Sequence, residues 1–317
     1  MEEIPPEALR HFVNANIVSK KQAVLAKKEA SELSKALSDK ADYIVFLKGA
    51  AYSVTDNPAS LGRVYSDIDL LVPKNNLENI EQYLCVVGWK HHSLDDYDEM
   101  YYRKWAHEIP PMQHGSRGTV LDIHHNLVPV ISGKSINIQA FVKDYGTAYN
   151  NITVLCEPAM FFHSAIHLFF NEDMSSAFRD MTDLYLLSSS QSEQFFHDVM
   201  AITEKYGFRK ECILAFHLLS IHFNISLPNV TASLVSVELE RVSSLELLLL
   251  QRLTLPKHIL ICDGERGFSL WLGELRGHWM KMPIGTLAFH LSMKSYRNVM
   301  KLIFGQHVFI KENGNRA

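Results

Sequence analysis

The chain has 317 residues, 47% of them hydrophobic and 21% charged, with a formal net charge of −4. These values describe a soluble globular protein long enough for two domains with separate cores. Without a Lys/Arg-rich block they argue against long duplex nucleic acid as a partner and leave room only for a local basic pocket. The cysteines Cys85, Cys156, Cys212 and Cys262 are scattered and form no C-x-x-C, so neither a zinc knuckle nor a disulfide framework is indicated. The opening residues are acidic and lack an apolar signal region, and no uncharged apolar run reaches membrane-spanning length. The longest late candidate, 283–304, is interrupted by His290, Lys294, Arg297 and Lys301. Cytoplasm is the expected compartment.

From about Pro6 to Lys40 the pattern is helical. Leu9, Val13 and Ile17 recur every fourth residue, and Ala26, Ala30, Leu33 and Leu37 keep helical spacing. The stripe shifts phase around Lys20 to Val24, which allows a bend or two helices. Asp42 to Leu47 reads as a short apolar strand, and Lys48-Gly49-Ala50-Ala51 as the start of a helix. A loop of turn residues spans Asp56 to Gly62. The run Arg63 to Val72 then reads as a strand entered through a loop and ended by Pro73. A helix follows from about Asn75 to Val87, with Gly88 as its C-cap.

Trp89 to Leu94, Met100 to Trp105 and Thr119 to Leu127 are expected strands, with a polar turn at Asp95 to Glu99. After Thr153 the pattern turns helical: 158–170, 175–188, 193–206, 209–223, 236–253, 268–280 and 284–304. The expected architecture is α+β, a small mixed-sheet domain over residues 1–155 that includes the N-terminal helix, followed by an all-helical domain over 156–317. The tail after Lys311 is expected to be loose.

Two carboxylates, Asp67 and Asp69, stand one residue apart in the central strand. Alternate strand residues share a face, so the pair sits side by side with Ile68 and Leu70 directed to the core. Two like charges at that spacing repel, and a divalent cation with oxygen ligands relieves the repulsion. The plainer alternative is a solvated strand edge. In Val120 to Asn126, Asp122 and His124 share one strand face and Leu121 and Ile123 the other. If that strand lies beside the first, Asp122 joins the pair, and three carboxylates can hold two divalent ions roughly 3.5–4 Å apart. Lys48-Gly49, at a strand-to-helix junction, offers backbone N–H groups and a close approach to an anion. Lys48 and Arg63 are cations near the expected phosphate path, and Arg63 can bind phosphate bidentately.

Together, Lys48-Gly49-Ala50-Ala51, the run from Arg63 through Ser66-Asp67-Ile68-Asp69 to Val72, and Leu121-Asp122-Ile123-His124 resemble the bacterial uncharacterised nucleotidyltransferases of the DNA polymerase beta-like superfamily. The resemblance implies a polymerase beta-like palm with Asp67 and Asp69 on one strand and Asp122 on its neighbour. It implies transfer of a nucleoside monophosphate from an NTP to an acceptor, with Mg²⁺ or Mn²⁺ and loss of pyrophosphate. Asp67, Asp69 and Asp122 are then the metal ligands, with Asp122 also the base, and Lys48, Gly49, Arg63 and Ser66 contact the nucleotide. ATP is the default donor for its abundance, and the acceptor is a small hydroxylated molecule or a protein side chain. One departure is Gly49-Ala50 where the superfamily has Gly-Ser or Gly-Gly, which leaves Lys48 or Ser66 to replace a phosphate-binding hydroxyl.

A weaker likeness continues through Phe162-His163-Ser164-Ala165-Ile166-His167 and Phe178 to Leu184. His163 and His167 share one helical face and could hold a metal. The preferred reading is that they pack and hydrogen-bond between helices or line the acceptor cleft, together with His124, while Asp183 orders an arginine or histidine. His91-His92 has no companion ligands and reads as surface. Two other functions stay open: a metal-dependent phosphodiesterase or nuclease using the same carboxylates, and a nucleotide-sensing partner protein with little turnover.

Overall fold

The computed structural model describes residues 5–91, 94–256 and 264–305. His92, Cys262, residues 1–4 and the tail after Lys311 lie outside the described residues. The fold is α+β: a seven-stranded mixed sheet and thirteen α-helices among the described residues. No described helix is long and apolar enough to cross a membrane.

Helix α1 runs unbroken from Pro6 to Leu37, so the phase shift in its stripe produces no break. Proline at its first turn costs no hydrogen bond there. Its C-terminal stripe Ala26, Ala30, Leu33 and Leu37 is buried, whereas Leu9, Val13 and Ile17 are each 49% exposed. Strand β1 (Val45–Phe46) leads directly into α2 (Lys48–Val54), whose residues after Lys48 are all buried. Strand β2 (Ile68–Leu71) follows, then α3 (Leu77–Val86), closed by Gly88 at φ 101°. That left-handed conformation is natural to glycine.

Strand β3 (Trp89–His91) precedes α4 (Asp96–Lys104). The strand expected at Met100 to Trp105 and the turn expected at Asp95 to Glu99 are therefore both replaced by helix. The cause is local. Asp95 accepts hydrogen bonds from the backbone N–H of Tyr97 and Asp98 at 3.1 and 3.0 Å, which caps the helix. Acidic residues occupy its first turn and Arg103 and Lys104 its last, the charge order that the helix dipole favours. Strand β4 (Met112–His114), helix α5 (Ile138–Tyr145) and the hairpin β6 (Gly146–Tyr149) to β7 (Ile152–Leu155) had no counterpart in the expected elements. The hairpin turns on Asn150 and Asn151, both at positive φ. Strand β5 spans Val120–His124.

The sheet order is β3-β4-β5-β2-β1-β7-β6. At its centre β2 pairs parallel to β5, and β1 lies antiparallel to β2 and parallel to β7. The helices after the sheet are α6 (Glu157–Phe170), α7 (Ala177–Ser188), α8 (Glu193–Tyr206), α9 (Arg209–Phe223), α10 (Asn229–Leu239), α11 (Ser244–Leu253), α12 (Gly264–Lys281) and α13 (Ile284–Phe304). The single helix expected at 236–253 is split, because the N–H groups of Arg241 and Val242 turn back to the carbonyls of Glu238 and Leu239. Helix α6 is apolar nearly all round and accordingly buried, with α7, α8 and α9 packed on it. Its Phe161 stacks on Phe216 at 4.9 Å between ring centroids.

Candidate active site

The parallel register of β2 and β5 sets Asp69 directly opposite Asp122, with Ile68 opposite Leu121 and Leu70 opposite Ile123. Leu70, Leu121 and Ile123 are fully buried. The apolar residues fix the register, since a slip of one position would drive the carboxylates into the core. Asp67 lies one residue before β2. Asp67, Asp69 and Asp122 line one cavity of about 300 Å³, which Lys48, Gly49, Arg63, Ser66, His167 and Asp183 also line. His124 and His163 are buried, each 3% exposed, and are not part of its wall.

Asp69 is the best-compensated carboxylate of the three. Lys48 Nζ donates to its Oδ1 at 2.7 Å, and His124 Nε2 lies 3.1 Å from the same oxygen. Burial alone would raise this carboxyl, but Lys48 and His124 together hold it well below the usual carboxylate range. The same contacts work in reverse on their partners. Burial opposes the charge of Lys48 and His124, yet the carboxylates beside them raise both pKa values. Lys48 reaches Asp69 from a backbone at φ 44°. A lysine in that region costs roughly 1 kcal/mol, and the strain persists because strand β1 and helix α2 hold it on either side.

Asp122 is the opposite case. Its Oδ1 is buried without a hydrogen-bond partner among the described residues. Burial, and then the charges of Asp69 and Glu108, push its carboxyl up to about 7. An acid in that state calls for a proton or a cation. The lining as a whole points the same way, with seven carboxylates against four lysines and arginines. A divalent cation with oxygen ligands therefore fits the donor set.

The loop before β2 is tied on three sides. Arg63 pairs with Asp183 of α7, the Tyr65 N–H donates to Gln22 Oε1 at 2.7 Å, and the Tyr65 and Ser53 hydroxyls hydrogen-bond. Asp183 does order an arginine, and burial raises its own carboxyl to about 6 against the pull of Arg63. A Cβ on Gly49 would lie 2.8 Å from the Tyr65 ring and 2.9 Å from Arg63 Nε. The missing side chain at Gly49 therefore makes room for this loop, and Gly49 itself lines the cavity. From α6, the Ser164 hydroxyl meets the Tyr52 hydroxyl at 2.6 Å. His163 and His167 are held neutral: burial, then the Lys48 charge, pushes His163 down to about 3 and His167 well below the usual histidine range.

Several lining residues escaped the sequence reading. His107 and Glu108 come from the segment after α4, Glu172 from the α6–α7 connection, and Lys281 from the end of α12, where it pairs with Glu172. None sits in a spaced motif. The one available signal was the His-Glu dipeptide ahead of Pro110-Pro111.

The family described as uncharacterised nucleotidyltransferase matches this chain over residues 1–224. No curated protein matches it. Among solved structures, the crystal structure of JHP933 from Helicobacter pylori matches at 12% identity with a TM-score of 0.34, covering 89% of this chain and 97% of that one.

Proposed function

The chain belongs to the uncharacterised nucleotidyltransferase family, and on that premise we propose that it moves a nucleoside monophosphate from an NTP to a hydroxyl of a small molecule or protein, releasing pyrophosphate. The observation that carries the reading is the meeting of Asp67, Asp69 and Asp122 in one cavity, with Asp122 Oδ1 buried and unpartnered among the described residues. Mg²⁺ or Mn²⁺, held by these three carboxylates, would supply charge neutralisation at the triphosphate and acidify the attacking hydroxyl.

The chain's own groups supply the rest. Lys48, Gly49, Arg63 and Ser66 face the triphosphate, with ATP as the default donor. Arg63 is pre-set by Asp183 and so loses little freedom on gripping a phosphate. The acceptor oxygen forms a bond to the α-phosphorus as the bond to the β-phosphate oxygen breaks. Asp122 Oδ1 takes the hydroxyl proton. His167 and Asp183, with His124 and His163 behind them, shape the acceptor side, so residues 156–317 select the acceptor and residues 1–155 hold the nucleotide.

The test incubates the full chain with each labelled NTP, Mg²⁺ and a host-cell extract, and identifies by mass spectrometry what gains a nucleotide. Pyrophosphate release that stops in excess EDTA and in Asp67→Asn is the expected result. Full turnover in EDTA sinks the carboxylate-metal assignment, and labelled-NTP hydrolysis with no adduct sinks nucleotidyl transfer.

A further inference from the structure

Behind Asp69 lies a second group of metal-ligating side chains. His107, Glu108 and His124 each bring one ligand atom within 4.8 Å of the other two. Glu108 and His124 are held together by a β-bridge between their backbones, and the His107 carbonyl accepts the N–H of His125 at 2.8 Å. The cluster thus rests on β5 and on a segment bonded to it, which gives it the rigidity that a metal site needs.

Two features of this cluster suit a bound cation. His124 Nε2 lies 3.1 Å from Asp69 Oδ1, and its Nδ1 lies 3.5 Å from Glu108 Oε2. As an imidazolium His124 can donate one N–H to each carboxylate; a dication between Nδ1 and Glu108 would take the place of the second proton. The second feature is His107 Nδ1, a buried ring nitrogen with no hydrogen-bond partner among the described residues. A dication within the cluster would take a lone pair from each imidazole. His124 would donate its Nε2–H to Asp69 and offer Nδ1 to the ion, the carboxylate–histidine–metal relay by which proteins orient a ligating histidine.

We propose that His107, Glu108 and His124 form a binding site for a first-row transition-metal dication such as Zn²⁺, separate from the carboxylates that serve Mg²⁺. Two imidazoles and one carboxylate are a borderline-soft donor set that suits Zn²⁺ over Mg²⁺. Ligand atoms around tetrahedral Zn²⁺ stand roughly 3.3–3.5 Å apart for bonds of about 2.0–2.2 Å, so closure from the observed spacing takes side-chain rotation of about 1 Å. His107 and Glu108 also line the cavity, which leaves a coordination position open to water or to a bound molecule. The ion would fix the segment after α4 to β5 and, through His124, fix the Asp69 carboxylate. This site does not depend on nucleotidyl transfer being the reaction.

The experiment is calorimetric titration of the EDTA-stripped full chain with Zn²⁺, for wild type, His107→Ala, Glu108→Gln and Asp67→Asn, with Co²⁺ absorption as the spectroscopic readout. Wild type and Asp67→Asn should each take up one Zn²⁺ per chain. His107→Ala and Glu108→Gln should bind it at least about tenfold more weakly and lose the Co²⁺ visible bands. Glu108→Gln keeps side-chain size, so it reads the site even where His107→Ala fails to fold. The proposal is overturned if wild type takes up no stoichiometric Zn²⁺. It is equally overturned if Glu108→Gln binds as tightly as wild type, or if Asp67→Asn abolishes uptake that Glu108→Gln retains, which would put the ion among the carboxylates. A negative pyrophosphate assay leaves these outcomes unchanged, so the two readings fail separately.

Discussion

Replacing Asp122 by asparagine should stabilise the metal-free chain at alkaline pH and do progressively less as the pH falls. The folded Asp122 carboxyl titrates at about 7 against 3.8 for an ordinary aspartate. A raised carboxyl pKa means that the folded state keeps its proton longer than the unfolded chain, so stability falls as pH rises between the two values. Three pKa units at 1.36 kcal/mol each put the full cost of ionising Asp122 in the fold on the order of 4 kcal/mol above pH 7. Asparagine escapes that cost but leaves a buried amide short of partners, at about 1–2 kcal/mol. The net gain at pH 8 is therefore about 2–3 kcal/mol, shrinking by about 1.4 kcal/mol per pH unit from pH 7 downward. The assay is urea unfolding of EDTA-treated wild type and Asp122→Asn at pH 5, 6, 7 and 8. Acid effects from groups remote from Asp122 are common to both proteins and cancel in the difference, whereas Asp69, Glu108 and His124, whose charges act on it, add to the change. A difference that stays flat with pH, or an Asn variant less stable at pH 8, would refute the picture of Asp122 as an uncompensated buried acid.

Two further substitutions probe the compensated side. Lys48→Met removes the ammonium from Asp69 and should cost the metal-free chain about 3 kcal/mol at pH 7, because a buried charge loses one of its two partners; unfolding by urea with unchanged stability would show that His124 alone suffices. Gly49→Ala must move the Tyr65 ring and Arg63, at about 1–3 kcal/mol, and should weaken nucleotide binding as the loop carrying Ser66 and Asp67 shifts; a variant with wild-type melting temperature and wild-type nucleotide titration would show that the loop yields freely.

The carboxylate trio was legible because strand periodicity is strict: Asp69 and Asp122 alternate with apolar residues that can face only the core, and the register follows from that. Helices α6, α8 and α9 were legible from length and apolar period, and their starts agree with the pattern to within a residue. What misled at Met100 to Trp105 was β-favouring aromatic content, which lost to the Asp95 cap and to charge ordering along the helix. The hairpin β6–β7 carried its signal in Asn150-Asn151, a pair suited to positive φ, flanked by strands of four residues each. His107, Glu108 and Lys281 could not be read from sequence, because long-range packing alone brings them to the cavity and none repeats a spacing.

The charge state of the cavity follows from how each acid is neutralised. Asp69 is paired with Lys48 and His124, which hold its carboxyl well below the usual carboxylate range. Asp122 Oδ1 has no such partner among the described residues, its carboxyl is pushed up to about 7, and any proton it holds leaves when a dication arrives. These two acids therefore divide the work. Asp69 stays ionised at neutral pH and keeps the site shaped, whereas Asp122 adjusts its charge to whatever occupies the cavity. Pairing both as Asp69 is paired would weaken the field that draws in a cation, and pairing neither would set two carboxylates repelling each other across β2 and β5. One well-paired acid beside one unpaired acid is an arrangement that folds without the ion and still binds it.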